Sequence, residues 1–161
     1  MKQELRVTAL SVVVIVLAVA AVALIGGYFS SMNRDWYDKL NYPPLKPPNW
    51  AFPVAWNIIF TLSIVSTALI WNTRPHTGRT GLAIGLLILN GVINVVWSAL
   101  FFGNRLLLPA VIDAALLCLS VIAIMIAAWP ISRWASILLI PYAGWTGFAT
   151  ALTWWIWRLN P

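Results

Sequence analysis

The sequence predicts an all-α integral membrane protein, a single five-transmembrane-helix bundle with a long Pro/Trp-rich loop between helices 1 and 2. Hydrophobic residues make up 61% of the chain and charged residues only 9%, whereas soluble domains carry roughly 25% charged residues. Mean hydropathy is +0.87. Five apolar stretches, 7–29, 53–71, 82–102, 106–129 and 134–157, are each long enough, at ~1.5 Å rise per residue, to cross a hydrocarbon core of ~30 Å. All connections but one are short, so one membrane domain over 1–161 is expected, with no room for a soluble domain.

The first stretch resembles a secretory leader at its start. Lys2 and Arg6 precede a Val/Ala-rich run, and Ala18-Val19-Ala20 imitates a peptidase site. A leader's apolar region usually spans ~7–15 residues, and this run continues to Ile25. A retained first helix is expected.

The loop that follows runs from Trp36 to Trp56 and holds Pro43, Pro44, Pro47, Pro48 and Pro53, five of the ten prolines. Each fixes φ and removes a backbone donor, so a stiff, non-helical loop is expected. At a membrane surface such a loop is either an interfacial anchor or a lid.

A helix repeats its face at i, i+4, i+7 and i+11. On the second helix that spacing selects Trp56, Phe60, Ser63 and Thr67. The third presents Asn90, Asn94, Trp97 and Phe101, and the fifth Trp145, Ala149, Leu152 and Ile156. None is a plain lipid-facing surface. A side-chain amide in hydrocarbon costs several kcal/mol unless paired, so Asn90 and Asn94 should point into the bundle. They serve either as interhelical glue, at ~0.6 kcal/mol per bond, or as contacts to a flat amphipathic ligand stacked on Trp97.

Asp113 is the one acidic residue inside a span. An intramembrane carboxylate is a functional candidate, and its alternative is a structural role, protonated or bonded to a neighbour. Gly81 and Gly85 form a small-xxx-small pair that could allow close approach in a dimer. Gly144 and Gly147 flank Trp145 and either leave room beside the indole or ease packing.

Several chemistries are close to excluded. Cys118 is a lone cysteine and His76 the only histidine, so no disulfide, zinc site or iron–sulfur cluster can be built within one chain. There is no Ser-His-Asp set, HExxH or Gly-rich phosphate loop, and no metal is expected. The net charge of +6 comes from scattered basic residues at helix ends, which suits snorkelling anchors rather than nucleic acid. Lys2, Arg6, Arg74, Arg79 and Arg133 fall on one side, and Arg34, Lys39, Lys46, Arg105 and Arg158 on the other. That tie leaves orientation, and the identity of the membrane, open.

Four blocks then carry a resemblance. They are Trp36-Tyr37 through Lys46-Pro47-Pro48-Asn49-Trp50 to Phe52-Pro53-Val54-Ala55-Trp56; Asn94-Val95-Val96-Trp97 with Phe101-Phe102-Gly103; Asp113 at its distance beyond them; and Pro141-Tyr142, Trp145, Phe148-Ala149-Thr150 and Trp157-Arg158-Leu159-Asn160. Their order and spacing resemble the translocator protein family, also called TspO, tryptophan-rich sensory protein or peripheral benzodiazepine receptor, from about residue 35 to the end. The resemblance implies a five-helix fold with a cavity beneath the first long loop, and porphyrins or other tetrapyrroles as ligand, with no covalently bound cofactor. It places Trp56, Asn94, Trp97, Trp145 and Ala149 in the pocket, with Leu152 one turn further. Phe60 and Asn90 join them from the helix faces. Trp36, Tyr37, Lys46, Trp50 and Phe52 belong to the lid. A homodimer in membrane lipid is implied as well.

The chain departs from the family pattern in places. Phe60 stands where Tyr is frequent, and Pro44-Leu45 where bacterial relatives often carry Trp. Thr153 replaces the usual Asn. The run Leu152-Thr153-Trp154-Trp155-Ile156-Trp157-Arg158 lacks the Tyr of cholesterol-binding members, while Arg34…Tyr37…Leu40 offers only the reversed pattern. Sterol binding is in doubt.

Three functions compete. The leading one is a membrane receptor or carrier for tetrapyrroles and similar planar ligands, with Trp56 and Trp145 stacking and Lys46 meeting propionates. The second is a light- and oxygen-dependent porphyrin-degrading enzyme using Trp56 and Trp145. The third is a structural or regulatory partner whose tryptophans, such as Trp71, Trp129, Trp134, Trp154, Trp155 and Trp157, form an interfacial belt.

Overall fold

The computed structural model describes residues 4–5 and 8–161. Lys2 and Arg6, and the first residue of the expected first span, lie outside the described residues.

Helix α1 (Ala9–Ser31) starts at Thr8, whose hydroxyl caps the Ser11 amide at 3.3 Å. It is apolar on every side, as a helix surrounded by lipid and protein must be. It stops at Asn33, where φ is 53°, a left-handed turn that asparagine tolerates better than most residues. Helix α2 (Arg34–Asp38) follows directly.

Helix α3 (Ala51–Asn72) then descends, α4 (Gly78–Ser98) returns and ends in a five-residue π-helical turn (Ala99–Gly103), and α5 (Leu107–Ala128) descends again. The last crossing consists of α6 (Arg133–Leu138) and α7 (Ile140–Leu159). A two-residue antiparallel ladder pairs β1 (Glu4–Leu5) with β2 (Thr73–Arg74). Beside it the Ser11 hydroxyl donates to Asn72 Oδ1 at 2.9 Å, pinning the start of α1 to the end of α3.

Five segments, Ala9–Ser31, Ala51–Asn72, Gly78–Gly103, Leu107–Ala128 and Arg133–Leu159, are long and apolar enough to cross a membrane. The expected loop is corrected at both ends. Trp36, Tyr37 and Asp38 are helical, because the prolines begin only at Pro43. Ala51 to Trp56 already belong to α3, since Pro53 sits in the first turn, where no intrahelical N–H is required. The fifth span, expected over 134–157, is present as Arg133–Leu159 and carries a tight turn at Leu139. Pro141 has no N–H to reach back one turn, and the Leu139 amide bonds Ser136 O at 3.1 Å in a tight turn between α6 and α7.

Around the ring the order is α1, α3, α6–α7, α5, α4 and back to α1. Helix α5 packs against both α4 and α7 through small residues such as Ala110 and Ala114, which let backbones approach where lipid supplies no hydrophobic driving force. One core layer joins Ile70, Ala83, Ala128 and Ala135, and another joins Ile59, Val121, Ile124, Leu139 and Tyr142. Nearest the loop, Phe101, Ala110, Leu152 and Ile156 pack against Trp36, Tyr37, Tyr42 and Phe52. That third layer joins the loop to the bundle.

Candidate functional site

Beneath α2 and the loop lies a cavity of about 610 Å³, within the range of small-molecule pockets. Helix α3 supplies Trp56 and Phe60, stacked with ring centroids 5.4 Å apart. Helix α7 supplies Trp145, edge-on to Phe52 at 5.7 Å and tilted against Phe148 at 5.6 Å. From α4 come Asn94 and Trp97, the latter stacked on Phe101 at 5.4 Å. Ala149 and Leu152 also line this space, as do Tyr37 and Phe52 from the lid side.

Other expected site residues lie elsewhere. Asn90 is absent from this wall and lines a second, apolar space of about 830 Å³ between α1, α3 and α4, with Ser63 and Thr67. Its amide donates to Ser120 Oγ at 2.8 Å and its carbonyl accepts from Tyr142 at 2.9 Å. Trp36 packs on Phe101 at 5.9 Å under the Arg105 guanidinium. Trp50 is 68% exposed. Lys46 sits 4.0 Å from the Tyr42 ring centroid and 5.2 Å from that of Tyr37, and donates to Asn49 Oδ1 at 2.9 Å. It is therefore one layer outside the cavity. Asp113 is buried but outside the lining, and its Oδ2 has no hydrogen-bond partner among the described residues. A Cβ added at Gly81 or Gly85 would meet nothing within 4 Å, so both glycines face open space on α4.

The cavity also uses residues outside the helix faces that the spacing selects. Val22, Gly26, Ser30 and Arg34 line it from α1 and α2. Their four-residue steps were a readable signal, but a Val/Gly/Ser stripe looks like a packing face. Asp38 and Asn49 complete the set with Arg34 on the loop side. Tyr142, one of the residues that carry the resemblance, acts on the cavity through another residue, its hydroxyl accepting from Asn94 Nδ2 at 3.2 Å.

Two clasps hold the lid. Asn33 Nδ2 donates to the Phe102 and Gly103 carbonyls at 2.7 and 3.2 Å, and Arg105 donates to Asn33 Oδ1. At the far end the Asn41 amide donates to Asn160 Oδ1 at 2.9 Å, and Asn160 Nδ2 donates back to Asn41 O at 3.0 Å. Between the clasps the Tyr42 hydroxyl donates to Tyr37 O. Burial raises the pKa of Tyr37 and of Tyr42 above the usual tyrosine value, and at Tyr42 the neighbouring Tyr37 adds to the rise.

The chain is similar in sequence to several known proteins. CrtK of Rhodobacter capsulatus is 33% identical over 144 residues, 89% of either chain. A tryptophan-rich protein TspO from Chlorobaculum tepidum is 33% identical over 142 residues, 88% of this chain and 90% of its own. The translocator protein of Sus scrofa is 30% identical over 142 residues, 84% of each. The five membrane-length helices and these relatives make the chain a multi-pass integral membrane protein. The model of the TspO/MBR family matches residues 13–158, and the chain belongs to that family.

Proposed function

We propose that this chain is a membrane receptor or carrier that binds porphyrins and related planar amphipathic tetrapyrroles in the cavity beneath the lid. The observation that carries this reading is the aromatic wall, in which Trp56, Phe60, Trp97, Trp145 and Phe148 all border one space of about 610 Å³. Flat apolar ligands gain most from such walls, because each aromatic pair adds ~0.5–1.5 kcal/mol beyond the area it buries. Family membership supports the coarser role, a membrane receptor or transporter-like protein. The tetrapyrrole itself comes from the family resemblance. Arg34 suits the propionate end of such a ligand at the lid side, and a guanidinium pairs with carboxylates in bidentate fashion. Lys46, held by Tyr42 and Asn49, adds charge one layer out. The reading includes a homodimer through the open glycine face of α4.

The test is a protoporphyrin IX titration of purified protein in detergent, followed by tryptophan quenching and Soret shift. Saturable binding that weakens about tenfold in Trp56→Ala and in Trp145→Ala is expected. Linear quenching, identical in all three proteins, would mean partitioning into the micelle and would end the tetrapyrrole reading. Repeating the titration under light separates carrier from enzyme. Decay to one defined product that stops in Trp145→Phe would move the assignment to porphyrin degradation.

A further inference from the structure

We propose that Asn94 Oδ1 presents a hydrogen-bond acceptor to this cavity, and that it selects ligands carrying an O–H or N–H donor on the edge that meets it. The proposal rests on reading the cavity as a ligand site, but not on the ligand being a tetrapyrrole.

The argument starts at the other end of a hydrogen-bond relay. The Ser120 hydroxyl donates to the Leu117 carbonyl at 2.7 Å. A carbonyl can only accept, and a serine hydroxyl has one proton. Ser120 Oγ must therefore accept from Asn90, which turns the Asn90 NH₂ toward it at 2.8 Å and the Asn90 carbonyl toward Tyr142. Tyr142 spends its only proton on Asn90 Oδ1 at 2.9 Å, so its oxygen is left to accept from Asn94 Nδ2 at 3.2 Å. The Asn94 carbonyl is what remains. It faces Gly26, where an added Cβ would come within 4.0 Å of Oδ1, and Asn94 and Gly26 both line the cavity.

Asn94 thus enters the cavity with an acceptor because of a carbonyl on another helix. The reversed relay, with both amides flipped, would keep three of these bonds and lose the one to Leu117, so it is worse by one hydrogen bond in a buried setting. Asn90, Asn94, Ser120 and Tyr142 are all buried, which strengthens that preference. A ligand offering only an acceptor here leaves two acceptors facing each other. One offering a donor completes the relay.

The probes are 1-hydroxypyrene and 1-methoxypyrene, flat molecules that differ in one proton and one methyl group. Their binding to the full chain in detergent is read by energy transfer from tryptophan. The wild-type protein is expected to bind the hydroxyl compound about tenfold more tightly. Ser120→Ala touches neither cavity lining nor ligand, yet it removes the bond that sets the relay's direction, leaving two bonds in either sense. In that variant hydroxypyrene should lose about twofold, as half the population presents the wrong group, and methoxypyrene should gain until the two are nearly equal. Asn94→Leu should abolish the preference outright. Equal affinities in the wild type, absence of saturable binding by either pyrene, or an undiminished preference in Ser120→Ala would each overturn the proposal. Failure of protoporphyrin IX alone to bind would count against the tetrapyrrole reading and leave the acceptor standing.

Discussion

At the scale of single residues, Tyr37 and Tyr42 couple the lid to pH. Their raised pKa values mean that the neutral phenols are favoured in the folded loop. Stability from this pair is fully present below the unfolded tyrosine value of ~10 and is lost as pH rises through the higher folded values. Ligand affinity should therefore stay flat up to about pH 10 and fall beyond it, while Tyr42→Phe should weaken lid closure already at pH 7. Titrating ligand release from pH 7 to 11 in both proteins checks this. The tyrosines were visible in the sequence, but the carbonyl that Tyr42 meets was not, since a backbone partner five residues away leaves no mark on residue choice. Asn94 is a similar case. Its place on a buried face could be read from spacing, whereas the direction of its amide depends on Ser120 and Leu117 of another helix.

Among the elements, the lid and α7 are joined by a clasp of asparagines. Asn160→Ala removes two bonds between the C-terminal end of α7 and Asn41. At exposed positions each is worth somewhat less than ~1 kcal/mol, so ligand dissociation should quicken about fivefold and trypsin should cut faster after Lys39, which precedes Leu40. Stopped-flow release and a digestion time course measure both. The π-helical turn after α4 is the other element that matters. Its wide turn, with Asn104 N bonded to Ala99 O at 2.8 Å, brings Phe101 and Phe102 together at 4.8 Å and offers carbonyls to Asn33. Nothing in Ala-Leu-Phe-Phe-Gly distinguishes a π turn from an α turn by period, because the two differ by one residue over a single turn.

For the whole molecule, stability comes from packing within lipid rather than from hydrophobic transfer. Ile124 is 1% exposed between α5 and its neighbours. In water Ile→Ala at such a site costs ~2–5 kcal/mol. Lipid tails are as apolar as the side chain, so most of the transfer term vanishes and a cost of about 1–2 kcal/mol is expected for Ile124→Ala. A detergent-melting comparison with wild type checks it, and bound ligand at a hundredfold excess over Kd should restore about 2.7 kcal/mol. By itself the sequence determined the membrane setting, the five crossings to within a few residues, and the faces bearing Trp56, Asn94, Trp97 and Trp145. Length, apolar content and helical period are local properties, and they survive in a one-dimensional reading. Only the tertiary structure decided that Asn90 turns away from the cavity while Asn94 lines it, that Arg34 rather than Lys46 borders it, and that Trp50 stays outside. Those outcomes depend on how helices meet across the bundle and on which polar group finds which partner, and neither is encoded in spacing along one strand of chain.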